Sequence, residues 1–221
     1  MGEQKILFLF PLYENILEEF YKKNPDIKEL RLVISTDLTQ PAKNGITAKD
    51  IGKHFTFSKY VNLLDREEYF KELSNLTPLR HELGLRTVFN TVEKLLNPAQ
   101  SEYGVTTAFH KPYVEKYLFM FKEYYKEILV VKASEGSPEV FKDGKYWRQI
   151  DGEIIDTVFK LEDFGITYDE TYENITIEEA LEIVKNPSDE ILKLAKFNIA
   201  LYLVFAQRVD TLENAWELLN K

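Results

Sequence analysis

The sequence predicts an α/β protein with a central mixed sheet flanked by helices. Short apolar runs typical of buried strands alternate with longer segments whose apolar residues recur at helical spacing. Two Asp-Gly pairs, at 143–144 and 151–152, mark tight turns and add an antiparallel excursion of short strands. The sheet is therefore expected to combine parallel and antiparallel strands.

The first 75 residues predict a small βαβ-like unit followed by helices. An apolar run at 5–10 predicts a buried strand, and a helical pattern follows at 12–21, ending before Asn24-Pro25. The run 30–34 predicts a second strand. Further along, Thr47 begins a capping-box pattern closed by Asp50, and an amphipathic helix capped by Asp65 is predicted over 65–76.

The remaining residues predict a larger α/β domain. One predicted helix begins at Pro78 and ends at Gly84, and three others cover 86–96, 112–125 and 191–207. Two more begin at the capping box of Thr176 and at Thr211. The predicted strands are 103–108, 127–132, 145–150 and 153–159. We divide the chain into an N-terminal α/β segment, 1–75, and an α/β domain, 76–221.

Composition excludes several classes of function. The chain has no cysteine and three scattered histidines, which excludes disulfides, iron–sulfur clusters, zinc ribbons and thiol catalysis. Its net charge of -9, without a basic stripe, argues against nucleic-acid binding. No run approaches the roughly 20 apolar residues of a membrane span, and the run at 5–10 is too short for a signal peptide. We therefore expect a cytoplasmic protein without a membrane or nucleic-acid partner.

The usual phosphate-binding motifs are absent from these 221 residues, because the nine glycines are dispersed and form no glycine-rich loop. The most unusual stretch is 77–90, where Arg80 precedes a glycine stop and Arg86 and Thr87 follow it. Two guanidinium groups near a helix N-terminus would suit a carboxylate or a phosphate. The alternative is that both arginines are ordinary surface or packing residues, which composition alone favours.

Several motifs, in the correct order, resemble the anthranilate phosphoribosyltransferase family. The matching segments are Arg80-x-Glu-Leu-Gly-Leu-Arg-Thr-Val-Phe-Asn90, Leu95-Leu-Asn-Pro-Ala99, Lys126-Glu-Ile-Leu-Val-Val-Lys132, Asp151-Gly-Glu-Ile154, Leu161-Glu-Asp-Phe-Gly-Ile166, Phe197-Asn-Ile-Ala-Leu-Tyr-Leu203 and Thr211-Leu-Glu-Asn-Ala-Trp216. The resemblance covers residues 76–221. It implies a phosphoribosyltransferase-like α/β domain with a reduced helical or βα N-terminal part.

The resemblance implies a Mg2+-dependent transfer between phosphoribosyl pyrophosphate and an aromatic acid, of the tryptophan-biosynthesis type. Arg80 would contact the acceptor carboxylate, a role that suits a bidentate guanidinium. Arg86, Thr87 and Asn90 would complete the substrate-binding set, and Glu139 would hold the metal.

The chain also departs from the family pattern. Pro138 replaces the first metal-binding carboxylate, so a single carboxylate would hold magnesium weakly. Glu93-Lys94 replaces Gly-Pro, and Glu93 would add negative charge near a site for an anionic substrate. The family's glycine-rich pyrophosphate loop does not occur in the sequence.

These departures leave three hypotheses open. The chain would be a remodelled pentosyl or phosphoribosyl transferase, a catalytically inactive homologue that binds or regulates, or a half-enzyme completed by a second copy or a partner chain. Aromatic residues in 1–75 would supply such an interface, although an ordinary core is the more economical interpretation.

Overall fold

Two separate sheets make up the strand structure of the described residues. The computed structural model describes residues 7–40, 45–84, 88–89, 93–108, 110–132, 137–150, 153–168 and 175–221. The strands are β1 (Leu32–Thr36), β2 (Val61–Asp65), β3 (Tyr103–Thr107), β4 (Glu127–Val131), β5 (Gly144–Ile150) and β6 (Glu153–Phe159). The helices are α1 (Phe10–Lys23), α2 (Ala48–Gly52), α3 (Arg66–Tyr69), α4 (Lys71–Ser74), α5 (Leu76–Leu83), α6 (Lys111–Phe121), α7 (Ile177–Lys185), α8 (Asp189–Phe205) and α9 (Leu212–Asn220).

The sheets combine parallel and antiparallel pairing, which confirms the predicted mixed α/β class. β1 and β2 form a two-stranded parallel sheet in the register Leu32↔Val61. The second sheet has the order β3-β4-β5-β6, with β3 parallel to β4 and the remaining pairs antiparallel. The predicted Asp-Gly hairpin is therefore the β5–β6 pair, whose turn residues, 151–152, lie outside the described residues.

The N-terminal helix shares its core with the C-terminal helices. α1 packs against α8 and α9, and it also contacts β2. Eight aromatic residues of 1–75 were candidates for an interface. Six of them are buried in this core, Phe8, Phe10, Tyr13, Phe20, Tyr21 and Tyr60, whereas Phe55 and Phe57 are half-buried against it. The core interpretation is thus confirmed for these six side chains. The boundary predicted between 75 and 76 falls between α4 and α5, and the division into two domains remains a prediction.

Three predicted elements differ in the structure. The helix expected over 65–76 is divided into α3 and α4, because Phe70 adopts a non-helical backbone (φ -150°, ψ 65°). The strand expected at 5–10 is absent from its described residues, since Phe10 already begins α1 and Pro11 favours the first helical turn. Only part of the helix expected over 86–96 is described, and there Phe89 is helical whereas Glu93–Leu95 form a short 3-10 turn.

The other helix boundaries follow local signals. Thr47 and Thr176 each form the predicted capping box, with Asp50 and Glu179 respectively. Gly84 ends α5 in the left-handed region, at φ 62°, where a residue without a Cβ is favoured. Within the described residues, none of the helices combines the length and the apolar character of a membrane span.

A single carboxylate joins α1 to the start of β2. Glu14 is 8% exposed, and its two oxygens accept hydrogen bonds from the backbone N–H groups of residues 58–61. The Ser58 hydroxyl donates a fifth bond, at 2.7 Å. Burial pushes the pKa of Glu14 upward, but the bonds from Ser58, Lys59 and Val61 outweigh burial, so this pKa lies below its ordinary value.

We predict that Glu14→Gln destabilises the fold by at least about 2 kcal/mol, because an amide leaves some of the five donors without an acceptor. A depressed folded-state pKa stabilises the protein above the ordinary carboxyl pKa, and this contribution disappears as the pH falls through the folded-state value. The difference between the wild type and the variant in urea unfolding should therefore shrink under acid conditions.

Glu18→Gln provides the matched control, because Glu18 lies on the same helix, is 52% exposed and pairs only with Lys22 among the described residues. Its effect should stay below about 1 kcal/mol. Equal effects of the two substitutions would contradict the role assigned to Glu14.

Candidate functional site

A cleft of about 820 Å³ lies between the two sheets. All residues of β1 and of β3 line it, together with residues 37–40, 93–94, 96–99 and 137–139. Residues 37–40 follow the carboxyl end of β1. In open α/β sheets, ligands bind outside the carboxyl ends of parallel strands, so this end of the cleft is the candidate site.

Two arginines and two carboxylates are paired at this end of the cleft. Arg66 Nη1 lies 2.8 Å from Asp37 Oδ2 and 3.2 Å from Glu93 Oε2. Arg80 Nη2 lies 2.5 Å from Glu93 Oε1. One carboxylate therefore bridges two guanidinium groups, and the four charges cancel.

A polar side chain on the loop after β1 extends this cluster. Arg80 Nη1 donates to Gln40 Oε1 at 2.8 Å, and Gln40 Nε2 donates to Thr77 Oγ1 at 3.0 Å. Ser74 Oγ donates to Asp37 Oδ1 at 2.5 Å. The loop after β1 is thus tied to α4 and α5.

The charged side chains of this cluster are buried, so each of them needs a partner of opposite charge. Arg80 is 0% exposed, and Arg66 and Glu93 are each 8% exposed. An unpaired charge at such depth would carry a large desolvation cost. The ion pairs do not satisfy every hydrogen-bond donor of the two arginines. Within the described residues, no acceptor of suitable geometry faces Nε of Arg66, Nε of Arg80 or Nη2 of Arg80.

Glu139 lies deeper in the wall of the same cleft. It is 4% exposed, and its carboxylate accepts bonds from Leu9 N at 3.0 Å, from the Tyr13 hydroxyl at 2.8 Å and from Ser137 Oγ at 3.3 Å. Burial is the largest influence and raises the pKa of Glu139 to about 7, although the hydrogen bonds act in the opposite direction.

The next residue fixes this segment to α8. Asn198 is 0% exposed, its Oδ1 accepts from Val140 N at 2.8 Å, and its Nδ2 donates to Val140 O at 3.0 Å. The position of Glu139 is therefore set from both sides, by the turn before α1 and by the middle of α8.

The surroundings of Glu139 do not fit a magnesium ligand. Three hydrogen-bond donors already face its oxygens, whereas Mg2+ requires octahedral oxygen ligands and usually keeps several waters. Across the described residues, no group of three His, Asp or Glu side chains is arranged to hold a metal.

The structure brings some of the predicted site residues together. Glu139 lines the cleft, and Arg80 lies just behind it, in contact with Gln40 and Glu93, which both line the cleft. Arg86, Thr87 and Asn90 lie outside the described residues, so their substrate-binding role remains a prediction, as does that of Arg80.

Sequence reasoning identified Arg80 and Glu93 but not the other members of the cluster. Asp37, Gln40 and Arg66 were not singled out. Asp37 and Arg66 follow the ends of β1 and β2, where parallel strands usually place ligand-contacting residues. If β2 had been predicted from the sequence, Arg66 would have been recognised as the residue that follows the carboxyl end of a strand.

A parallel α/β layer with a polar cleft at the carboxyl ends of its strands is the architecture of ligand-binding α/β domains. The chain belongs to a glycosyl transferase family: the model of that family's a/b domain matches residues 50–221. The match begins well before residue 76, where the resemblance seen in the sequence begins.

Two curated proteins are similar to most of this chain. A protein of Aquifex aeolicus, named only as uncharacterized, is 33% identical over 168 residues, covering 75% of this chain and 54% of that protein. The anthranilate phosphoribosyltransferase of Saccharolobus islandicus is 26% identical over 175 residues, covering 74% of this chain and 48% of that protein. The chain thus spans about half the length of the curated relatives it matches.

Solved structures share the fold. Anthranilate phosphoribosyltransferase from Thermus thermophilus superposes with a TM-score of 0.75 at 15% identity, covering 99% of this chain and 68% of that chain. The Saccharomyces cerevisiae enzyme in complex with PRPP and Mg gives a TM-score of 0.71 at 15% identity, over 98% of this chain and 65% of that chain.

We predict that Glu139 makes folding stability fall as the pH rises from about 4.5 to about 7. Its folded-state pKa exceeds the ordinary value, so the folded state holds the proton more tightly, and ionisation at higher pH costs the folded state more than the unfolded state. Glu139→Gln should remove a fall on the order of 2 kcal/mol, measured by urea unfolding at pH 5, 6, 7 and 8.

The exposed Glu217 provides a control, because Glu217→Gln should leave the wild-type pH profile unchanged. An unchanged profile in Glu139→Gln would mean that Glu139 titrates as an ordinary exposed carboxyl group, contrary to its surroundings.

Proposed function

We propose that this chain is a ligand-binding member of its family, which takes a small aromatic molecule into the cleft and does not transfer a phosphoribosyl group by itself. The contact between Glu93 and Arg80 carries the proposal. The side chain that the family resemblance assigns to the acceptor carboxylate is already paired with a carboxylate of this chain.

The charge balance of the cluster determines what the cleft prefers. Arg66 and Arg80 face Asp37 and Glu93, so no positive charge is left over for an anionic group. A ligand carboxylate would have to displace Glu93 into water or leave it buried without a partner, and either outcome costs free energy. An aromatic ligand therefore gains little from a carboxylate at this position.

The remaining wall of the cleft is largely aromatic and aliphatic. The side chains that give it this character are Phe8, Phe10, Ile34, Tyr103, Val105 and Phe205. Such a surface favours a flat apolar ring through burial and edge-to-face contact, with a few polar groups to orient it. We accordingly propose that recognition rests on the ring and not on the acid group.

A second candidate function is phosphoribosyl transfer to an aromatic acid. It is supported by the names of the relatives and by the position of the cleft at the carboxyl ends of the strands. This function requires Arg80 to leave Glu93 when the acceptor binds, and it requires phosphoribosyl pyrophosphate to bind the same chain.

We predict that the purified chain binds anthranilate and its uncharged methyl ester with dissociation constants within about threefold of each other, because the cluster offers no net charge. Isothermal titration measures both affinities. A parallel assay with phosphoribosyl pyrophosphate, Mg2+ and anthranilate should release no pyrophosphate above the level without protein.

Two outcomes would contradict the proposal. Pyrophosphate release that depends on anthranilate would establish the transferase function instead. Absence of binding for both the acid and the ester would remove the proposed ligand class.

We predict that Glu93→Gln creates a preference for the acid over the ester of about tenfold, because one guanidinium charge becomes available to a ligand carboxylate. Titration of the variant with both compounds measures the ratio. Glu102→Gln is the matched control, since Glu102 also lines the cleft but is exposed, and its ratio should equal that of the wild type. An equal ratio in both variants would contradict the role assigned to Glu93.

A further inference from the structure

Arg208 is a half-buried cation in the wall of the cleft, just beyond the C-terminal end of α8. Its Nη1 donates to Ala206 O at 2.9 Å, which caps the helix. Capping leaves the other N–H groups of the guanidinium free to bind elsewhere. Within the described residues, Nε of Arg208 is buried without an acceptor, and no Asp or Glu side chain forms an ion pair with this arginine.

The contacts of Tyr21 place Arg208 beside the segment that precedes β1. The Tyr21 hydroxyl accepts a hydrogen bond from Leu30 N at 2.6 Å and donates one to Lys28 O at 3.3 Å. Burial raises the pKa of Tyr21 to about 12, although the bond from Leu30 and the nearby charge of Arg208 act in the opposite direction. The hydroxyl is therefore neutral at physiological pH and does not balance the charge of the arginine.

The amino end of the cleft, which we define by residues 28–31 before β1, carries more positive than negative charge. All four residues line the cleft, and Lys28 and Arg31 add two cations to the guanidinium described above. Glu29 is the carboxylate among them, and it already pairs with Lys59 and lies 3.6 Å from Arg31. By contrast, the four charges of the cluster at the carboxyl end cancel.

The aromatic part of the cleft wall adjoins this amino end. The ring of Phe205, the last residue of α8, lies 5.5 Å from the ring of Tyr103, the first residue of β3. Ile34 and Val105 continue the apolar wall along the two strands. Glu102 also lines the cleft, but it is exposed, so solvent screens its charge. An apolar wall thus leads to a cation without a carboxylate partner in the described part of the chain.

We propose that Arg208 forms an oxyanion subsite at the amino end of the cleft, which takes the carboxylate or phosphate of an elongated ligand whose aromatic part lies along the apolar wall. The proposal rests on the proposed ligand function and specifies its substrate class as aryl-alkyl acids or phosphates. A guanidinium suits both groups, because its planar fork matches two oxygens of a carboxylate or a phosphate.

The length of β1 explains why the ligand must be elongated. Its five residues separate the two ends of the cleft by about 13 Å. A carboxylate attached directly to a ring at the carboxyl end, as in anthranilate, does not reach Arg208. The expected equality of anthranilate and its methyl ester is therefore unaffected, whereas an acid on a flexible alkyl tail reaches the guanidinium.

Isothermal titration of the full chain with phenylhexanoate, with its uncharged amide and with phenylpentyl phosphate tests the subsite. The acid, the phosphate or both should bind about tenfold or more tightly than the amide, because only an oxyanion gains the charge-assisted bonds. The tighter of the two oxyanions identifies the group that the subsite prefers. Equal affinity of all three compounds would overturn the proposal.

Matched variants locate the subsite. Arg208→Gln should abolish the preference for the oxyanion and leave the affinity for the amide unchanged, which also shows that the variant is folded. Arg208→Lys should retain part of the preference, since the charge remains but the planar fork is lost. Arg31→Gln removes the same charge from the same end, but the Arg31 side chain is 69% exposed, so the preference should remain within about threefold of the wild type. Equal losses in Arg208→Gln and Arg31→Gln would overturn the proposal.

Inorganic pyrophosphate tests Arg208 without an aromatic group. It should bind the wild type saturably, about tenfold more weakly to Arg208→Gln, and with unchanged affinity to Arg31→Gln. Pyrophosphate binding that depends on Arg208, together with no binding of any aromatic compound, would refute the proposed ligand function and keep the oxyanion subsite. Binding of the amide, together with equal pyrophosphate affinity in the wild type and Arg208→Gln, would keep the ligand function and overturn the subsite.

Discussion

The buried bridge that Glu93 forms between Arg66 and Arg80 is the interaction on which the site depends. It balances two guanidinium groups at a depth where neither would be stable alone, and Asp37 completes the balance. Because Gln40 is bonded to Arg80, the same cluster also orders the loop after β1. The order of this loop and the charge balance within the cluster therefore have a common origin.

The sheets around the site are held by polar contacts that cross the core. Glu14 accepts hydrogen bonds from four backbone N–H groups at the start of β2. Asn198 accepts a hydrogen bond from the backbone N–H of Val140 and donates one to its backbone C=O. These contacts connect α1 and α8 with the two sides of the cleft. Residues of these helices and of both sheets belong to one hydrophobic core.

Local signals predicted much of the fold, because capping and turn preferences act within a few residues. The capping box at Thr176 and the left-handed Gly84 are read directly from neighbouring residues. Strand β2 was missed because its short apolar run passes at once into the helix cap at Asp65. The break at Phe70 was missed because an amphipathic pattern continues across it. The site was less accessible, since the partners of Arg80 lie 13 and 40 positions away, at Glu93 and Gln40, and sequence spacing does not bring them together.

A double-mutant cycle on Arg80 and Glu93 tests the central claim most directly. Urea unfolding of Arg80→Gln, Glu93→Gln and the double variant measures the coupling free energy between the two side chains. A buried, mutually neutralising pair predicts that the double variant is more stable than the sum of the single effects by about 2 kcal/mol or more. Additivity within about 0.5 kcal/mol would mean that the two charges do not depend on each other, and it would contradict the account of the site given above.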